Sequence, residues 1–395
     1  MIEQIKELSI TEDIITPWSV QIANSDGIDY NKLLEKIGMS RINADLVKKF
    51  ENVTGKAAHY FFRREILIAH RDFDKCLDLY AEKKPFYLYT GICPAESLHL
   101  GHFIQFYISK WLQDVFDIPV IIQITDDEKI LWNDLKPDVL PKLVKETVKN
   151  LIAFNFNPAK TFIFSNFNYM GQTPEYYRNV IRVRKSVTYG QIKNTFGFTD
   201  SDPIGKIVFP SLQLVPALST SFPEIFGNEK VQPIIVSGLD QEPYIRLMHE
   251  ISQKLDFPTP ISIHSIFFPA LHGVRTKMST SDVNTAIFLS DTAKQIKTKI
   301  NKHAFSGGRV TVEEHREFGG DTNVDVSYHL LKFFQSNDDE LEKIRSTYSS
   351  GELLSGEIKK HAFECIQEIV ATHQETKKTI TDDIIDQFVK PKNMK

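Results

Sequence analysis

The sequence predicts an α/β fold: a parallel sheet with crossover helices, a helical insertion between its two halves, and an all-helical C-terminal domain. Three observations carry this. Short apolar runs of strand character recur at residues 85–89, 120–124, 161–164, 232–236 and 261–266. Helical patterns separate these runs, which is the signature of strands joined by crossovers. From about Asp291 onward only helical patterns remain, broken at Ser336-Asn337-Asp338-Asp339 and Ser349-Ser350-Gly351.

Taken in order, residues 1–84 form an N-terminal extension. Within it Trp18-Ser19-Val20-Gln21-Ile22 alternates like a strand, and Asn24-Ser25-Asp26-Gly27 is a turn signal. Amphipathic helical stretches follow near residues 30–37 and 44–53. The α/β region spans 85–290. Its first strand stops at Thr90-Gly91, a helix follows over roughly 98–115, and Thr125 or Asp126 is placed to cap another helix after the second strand. Several helical patterns between about 136 and 226 read as the insertion. Residues 291–395 form the helical domain.

Composition bounds the function. The chain has 395 residues, 42% hydrophobic and 25% charged, enough for two domains or three small lobes. Lys and Arg total 47 against 51 Asp and Glu, a net charge of −4, so nucleic-acid contact must come from local basic stretches. Two such stretches are Lys294, Lys297, Lys299, Lys302 with Arg309, and Arg182, Arg184 with Lys185. Cys76, Cys93 and Cys365 lie far apart with no C-x-x-C, which predicts reduced thiols, a cytoplasmic location and no metal site. Glu3, Lys6 and Glu7 interrupt any signal-peptide core. The best apolar run, Ile118-Pro119-Val120-Ile121-Ile122, is too short to cross a membrane, so no membrane partner is expected.

Two motifs carry chemistry. His99-Leu100-Gly101-His102 stands at a helix start just past the first strand. A helix N-terminus offers unpaired N–H groups and the positive end of the dipole to phosphate. Gly101 lets a nucleotide lie close to the backbone, and the two histidines, at i and i+3, share a helix face. Alone, the motif is equally a pair of histidines at a helix tip by chance. Lys277-Met278-Ser279-Thr280-Ser281 follows the last strand. Its lysine is a mobile point charge and its serines are hydroxyl donors, suited to closing over a triphosphate. Alone, it reads more readily as a solvated surface loop, the commoner state of isolated Lys-Ser segments.

Together, H-x-G-H after the first strand and K-M-S-x-S after the last resemble the paired motifs of class I aminoacyl-tRNA synthetases, whose catalytic domain is Rossmann-like. Longer strings narrow the resemblance: Thr125-Asp126-Asp127-Glu128-Lys129 with Leu131-Trp132, Phe196-Gly197-Phe198-Thr199-Asp200-Ser201-Asp202, Gly238-Leu239-Asp240-Gln241, His303-Ala304-Phe305-Ser306-Gly307-Gly308, and Phe318-Gly319-Gly320 with Val324-Asp325-Val326-Ser327. These are similar to the eukaryotic and archaeal tryptophanyl-tRNA synthetases over about residues 12–389.

The resemblance implies a tryptophan–tRNA ligase that uses ATP as its Mg²⁺ complex, acts on tRNA(Trp) and works as a homodimer. It further implies that His99, His102, Lys277, Ser279 and Ser281 are catalytic, and that Gly91, Pro94, Gly101, His102 and Met278 hold ATP. Tyr89 and Gln123 match the indole-reading positions, Glu128 the position that neutralises the substrate ammonium, and Thr125, Lys129, Gln213 and Gln241 further substrate positions. Core packing for Tyr89 and a first-turn dipole partner for Glu128 are the plain structural alternatives. The segment around residues 18–27 resembles the small β-hairpin that covers the active site, and the C-terminal domain is implied to read the anticodon.

The chain departs from the family in one loop. Where the family carries Gly-Arg-Gly-Pro-Ser-Ser, this sequence has Gly91-Ile92-Cys93-Pro94-Ala95-Glu96, without the arginine. Thr280 replaces the second lysine of K-M-S-K-S. Three other assignments stay open at this point: a tyrosyl-tRNA synthetase, a small-molecule adenylyltransferase with H-x-G-H, and a non-catalytic RNA-binding paralogue. The Thr125–Lys129 and Ala304–Gly308 strings speak against the first, chain length and the helical domain against the second. The altered 92–96 loop is the one feature favouring the third. No G-x-x-x-x-G-K-[ST] or H-E-x-x-H occurs.

Overall fold

The computed structural model describes residues 14–15, 20–21, 28–136, 138–279 and 283–394. Eleven strands are described: β1 (Ile14–Ile15), β2 (Val20–Gln21), β3 (Ser40–Arg41), β4 (Leu67–Arg71), β5 (Phe86–Ile92), β6 (Val120–Ile124), β7 (Thr161–Ser165), β8 (Gln232–Gly238), β9 (Ile261–Ser265), β10 (Pro269–Ala270) and β11 (Gly273–Lys277). Seven form the central sheet, in the order β3-β4-β9-β8-β5-β6-β7. β7, β6, β5, β8 and β9 are mutually parallel, as crossover helices require. β4 pairs antiparallel with β9, and β3 with β4, so the N-terminal extension supplies an antiparallel edge to the parallel sheet.

Two boundaries differ from the sequence expectation. β5 does not stop at Thr90 but runs through Gly91 to Ile92. The stretch 136–226 contains β7, which pairs along its whole length with β6, so the helices between the sheet halves begin only after β7. At the other end, the hairpin expectation over residues 18–27 falls mostly outside the described residues. Within them, β2 pairs antiparallel with β1, and its Gln21 pairs with Thr276 of β11.

Both faces of the sheet are covered, so its strands read as unbroken apolar runs rather than alternating ones. All five residues of β6 are buried. The period of two nevertheless sorts the side chains. Leu88, Val120, Ile122, Ile234 and Ile263 share a core with the helix Leu100–Phe116 and the C-terminal helices. Tyr87, Tyr89, Ile121, Phe162, Phe164 and Ile235 share a separate core with the insertion helices. Gln123, two residues past Ile121, therefore lies on the insertion face.

The C-terminal helices are capped by their sequence. Thr292 and Thr311 each make a capping box with the third helical residue, Gln295 and Glu314. Asn337 accepts from the backbone N–H of Asp339 and Glu340, which is why the Ser-Asn-Asp-Asp segment starts a helix. The domain is fastened to the rest of the molecule by Tyr60, whose hydroxyl donates to the Phe333 carbonyl, and by Arg64, 2.6 Å from Asp338. The final helix, Asp382–Val389, returns to β7 and the helix Val139–Ile152. No described helix is long and apolar enough to cross a membrane.

Candidate active site

The chain runs β5, β6, β7 outward in one direction and then returns to place β8 on the other side of β5. Such a switch opens a crevice at the strands' carboxyl ends, where α/β sheets bind ligands. Here the crevice is a cavity of about 370 Å³ whose walls include Tyr89, Gly91, Cys93, His99, Gly101, His102, Thr125, Glu128, Gln213, Asp240, Gln241, Lys277, Met278 and Ser279. Signals far apart in sequence meet in one place.

The nucleotide side is built on the tip of the helix Leu100–Phe116. The His99 and His102 rings stack, with centroids 3.7 Å apart. The backbone N–H of His99 donates to Nδ1 of His102 at 3.4 Å. A neutral imidazole that accepts at Nδ1 carries its proton on Nε2. Burial, and next the charge of Lys277, hold His102 down at about 4, so it is neutral near pH 7. His99 is likewise driven well below its ordinary value, by burial first and then by His102 and Lys277. Each ring thus offers a ligand one N–H donor rather than a positive charge. Gly101 leaves the His99 ring its room: a Cβ there would stand 3.0 Å from Cε1 and Nδ1 of His99.

Lys277, last residue of β11, forms the opposite wall. Its ammonium lies 2.6 Å from Oδ2 of Asp240, just beyond β8. The segment after the lysine motif returns to the histidine motif: Leu100 N–H donates to the Ile287 carbonyl and Leu289 N–H to the Leu98 carbonyl. Backbone hydrogen bonds thus fasten the segment that follows the lysine motif to the histidine-bearing helix tip.

The amino-acid side lies on the insertion face. The Tyr89 hydroxyl oxygen lies 2.6 Å from Oε1 of Gln123 and 2.8 Å from the Gln213 carbonyl, two acceptors for its single proton. Thr125 donates to Glu128 Oε2 at 2.6 Å, turning that carboxylate toward the cavity. Among the described residues, Oε1 of Gln213 and Nδ1 of His99 are buried polar atoms with no hydrogen-bond partner. Such atoms are costly unless a ligand completes them.

Several expected site residues stand elsewhere. Gln123 is fully buried behind Tyr89 and does not line the cavity, because β6 is covered on both faces. Lys129, one residue past Glu128 on the helix Asp126–Trp132, is not among the residues of the cavity wall. Pro94 is buried but outside the cavity wall, and Ser281 lies outside the described residues. The arginine-free loop is fixed by Thr147: its hydroxyl accepts from the Ala95 N–H at 2.9 Å and donates to the Ala95 carbonyl at 3.0 Å. The loop puts Cys93 in the wall, where burial, and then Glu128, push its thiol up to about 12. Asp240, Asn166 and Asp127 were not singled out as site residues in the sequence; the Gly238–Gln241 and Thr125–Lys129 strings contain the two aspartates, and no motif pointed to Asn166.

Of the basic stretches, Lys299 is committed to the fold. It pairs with Asp291 at 2.7 Å and donates to the Ala286 carbonyl. Lys294, Lys297 and Lys302 remain exposed, as do Arg182, Arg184 and Lys185.

A parallel sheet with a switch-point crevice, a histidine-bearing helix tip and a lysine loop facing it define a class I aminoacyl-tRNA synthetase, and residues 81–371 match the family model for class I tRNA synthetases (W and Y). The human cytoplasmic tryptophan–tRNA ligase is 50% identical over 97% of this chain and 82% of its own length. The Saccharomyces cerevisiae cytoplasmic enzyme of the same name is 44% identical over 99% and 92%. The crystal structure of Plasmodium falciparum tryptophanyl-tRNA synthetase superposes with a TM-score of 0.86 at 43% identity, covering 92% of this chain and 98% of that one. Within the class, the chain belongs to the tryptophan–tRNA ligase family.

Proposed function

We propose that this cavity activates tryptophan with ATP and hands it to tRNA(Trp). In the first step the tryptophan carboxylate attacks the α-phosphorus of ATP in line, giving tryptophanyl-adenylate and pyrophosphate. In the second, the terminal ribose 2′-hydroxyl of the tRNA attacks the mixed anhydride and releases AMP. The observation that carries this reading is that one cavity has an acceptor-bearing aromatic wall, Tyr89 with Glu128, facing a phosphate-suited wall of His99, His102 and Lys277.

Indole N–H is only a donor, so it needs an acceptor at depth. The Tyr89 oxygen fills that need, because its own proton is directed back into the protein. Gln123 acts one bond behind it. Glu128 takes the substrate ammonium, and Gln213 and Gln241 supply polar contacts around the amino acid. The neutral histidines donate to phosphoryl oxygens, and Lys277 with Ser279 and Ser281 stabilises charge on the departing pyrophosphate. This is catalysis by positioning and charge stabilisation. Mg²⁺ arrives as the ATP complex and offsets phosphate charge. Among the described residues no group of three or more His, Cys, Asp or Glu is gathered to hold an ion of its own.

The further partners are tRNA(Trp), which the C-terminal domain reads at the anticodon, and a second copy of the chain. Exposed Phe167, Tyr177, Ile181 and Ile204 on the insertion helices support a homodimer. The human and Saccharomyces cerevisiae relatives are cytoplasmic by name, and we infer the same compartment here.

A crystal grown with tryptophan and a non-hydrolysable ATP analogue tests the reading. It should seat the indole nitrogen within hydrogen-bond distance of the Tyr89 hydroxyl and the triphosphate against Lys277. Indole bound elsewhere, or Lys277 remote from the phosphates, would refute it.

A further inference from the structure

We propose that Asn166 and Asp127 are positioning residues that set the polarity of the indole pocket by locking the Gln123 side-chain amide in one orientation. The inference rests on Tyr89 being the indole acceptor and asks what keeps it one.

A glutamine amide can present either its oxygen or its NH₂ to a neighbour, and the two orientations are nearly isosteric. Here the difference decides binding. With Oε1 facing Tyr89, the phenol meets only acceptors there, gives its one proton to Oε1 or to the Gln213 carbonyl, and keeps its lone pairs free for an indole N–H. With NH₂ facing Tyr89, Gln123 would itself donate to the phenol oxygen and occupy what the indole needs. The other neighbours of Gln123 do not select the first orientation. The Tyr176 hydroxyl, 3.3 Å from Nε2, can accept or donate, and the Gln213 carbonyl, a second acceptor for the phenol's one proton, by itself favours the second.

The choice comes from two residues further back. Gln123 Nε2 donates to Oδ1 of Asn166 at 2.8 Å, and Nδ2 of Asn166 donates to Oδ1 of Asp127 at 2.7 Å. Asn166 is fully buried and Gln123 likewise. An ionised carboxylate only accepts, so Asp127 compels Asn166 to turn its NH₂ outward and its oxygen inward. That oxygen compels Gln123 to donate, and the donation leaves Oε1 toward Tyr89. The order propagates from a charge to the pocket wall through three bonds, none of which can reverse alone. Burial pushes the Asp127 carboxyl up to about 6, so at pH 8 it is still ionised. Backbone N–H groups of Asp127 and Glu128 also donate to this carboxylate. In Asp127→Asn they would claim the amide oxygen and turn its NH₂ toward Asn166, reversing the whole relay.

The test is ATP–pyrophosphate exchange at pH 8 with tryptophan and with 3-benzothienylalanine, which replaces the indole N–H by sulfur at nearly constant shape. The preference for tryptophan over this analogue, measured within each variant, cancels general damage to the site. Asp127→Asn should lower that preference by about tenfold or more, through a loss on tryptophan with the analogue changed little. Asn166→Ala, which frees the amide without reversing it, should lower it by about threefold, and it decides the matter should Asp127→Asn not fold. Tyr89→Phe reports on the underlying site. If Tyr89→Phe abolishes the preference while both relay variants keep it, the relay is wrong and the acceptor assignment stands. If Tyr89→Phe keeps the preference, both fall.

Discussion

The ammonium of Lys277 rests 2.6 Å from the carboxylate of Asp240, joining the end of β11 to the end of β8 across the crevice. Gly238 makes this possible, since a Cβ there would stand 2.6 Å from the other oxygen of Asp240. The lysine is thus held at the cavity wall before any phosphate arrives. Lys277→Ala should lower the rate of adenylate formation by roughly 10²–10³, the usual consequence of removing one preorganised donor. Single-turnover kinetics measure this. A rate within a few-fold of the parent would remove Lys277 from the mechanism.

Glu128 faces the cavity with Thr125 bonded to one oxygen. If it neutralises the substrate ammonium, Glu128→Ala should raise the KM for tryptophan far more than the KM for ATP. Steady-state exchange with each substrate varied separately resolves the two. An unchanged tryptophan KM would leave Glu128 only its place in the first turn of a helix.

Gly101 supports the histidine pair by having no side chain. In Gly101→Ala the new methyl, 3.0 Å from the His99 ring, can be relieved only by moving that ring, which is stacked on His102 and backed by Phe288. Misplacement by a full ångström costs about 10²-fold in rate, so a shift of a fraction of that costs less. We expect the activation rate to fall about threefold to tenfold with the tryptophan KM nearly unchanged. A normal rate would mean the histidines do not need their present geometry.

Four histidines give the fold a pH dependence of known sign. Burial, the largest cause in each, holds His59, His102 and His373 at about 4 and His264 at about 3. The unfolded chain titrates them near 6.5. Between these values the unfolded state binds protons that the folded state refuses, so stability is fully present above about 6.5 and is lost as pH falls toward 4. Asp127, raised to about 6, and Asp126, also raised by burial, oppose this over part of the range but are two groups against four. The urea midpoint should drop between pH 7.5 and 5.5, and a midpoint that rises would contradict the neutral, buried assignment.

What the sequence made legible was whatever is local. The H-x-G-H and K-M-S-x-S motifs are each a few consecutive residues, legible as following the first strand and the last. The helix breaks at Ser336 and Ser349 were likewise visible, because caps and turns are written in adjacent residues. The antiparallel edge made by β3 and β4 was not, since a short edge strand carries no pattern that distinguishes it from a loop. Gln123 was placed in the crevice because one end of a strand looks like another. Its burial follows from coverage of both sheet faces, which no single strand reveals. The Asn166–Asp127 and Lys277–Asp240 contacts join residues 39 and 37 positions apart through different crossovers, so only the assembled sheet brings them together.

The central claim is that one cavity takes tryptophan and ATP together. ATP–pyrophosphate exchange with each of the twenty amino acids in turn tests it most directly. Exchange with tryptophan far above every other amino acid, tyrosine included, is the predicted result. Exchange driven by tyrosine, or no tryptophan-dependent exchange by a folded preparation, would contradict it.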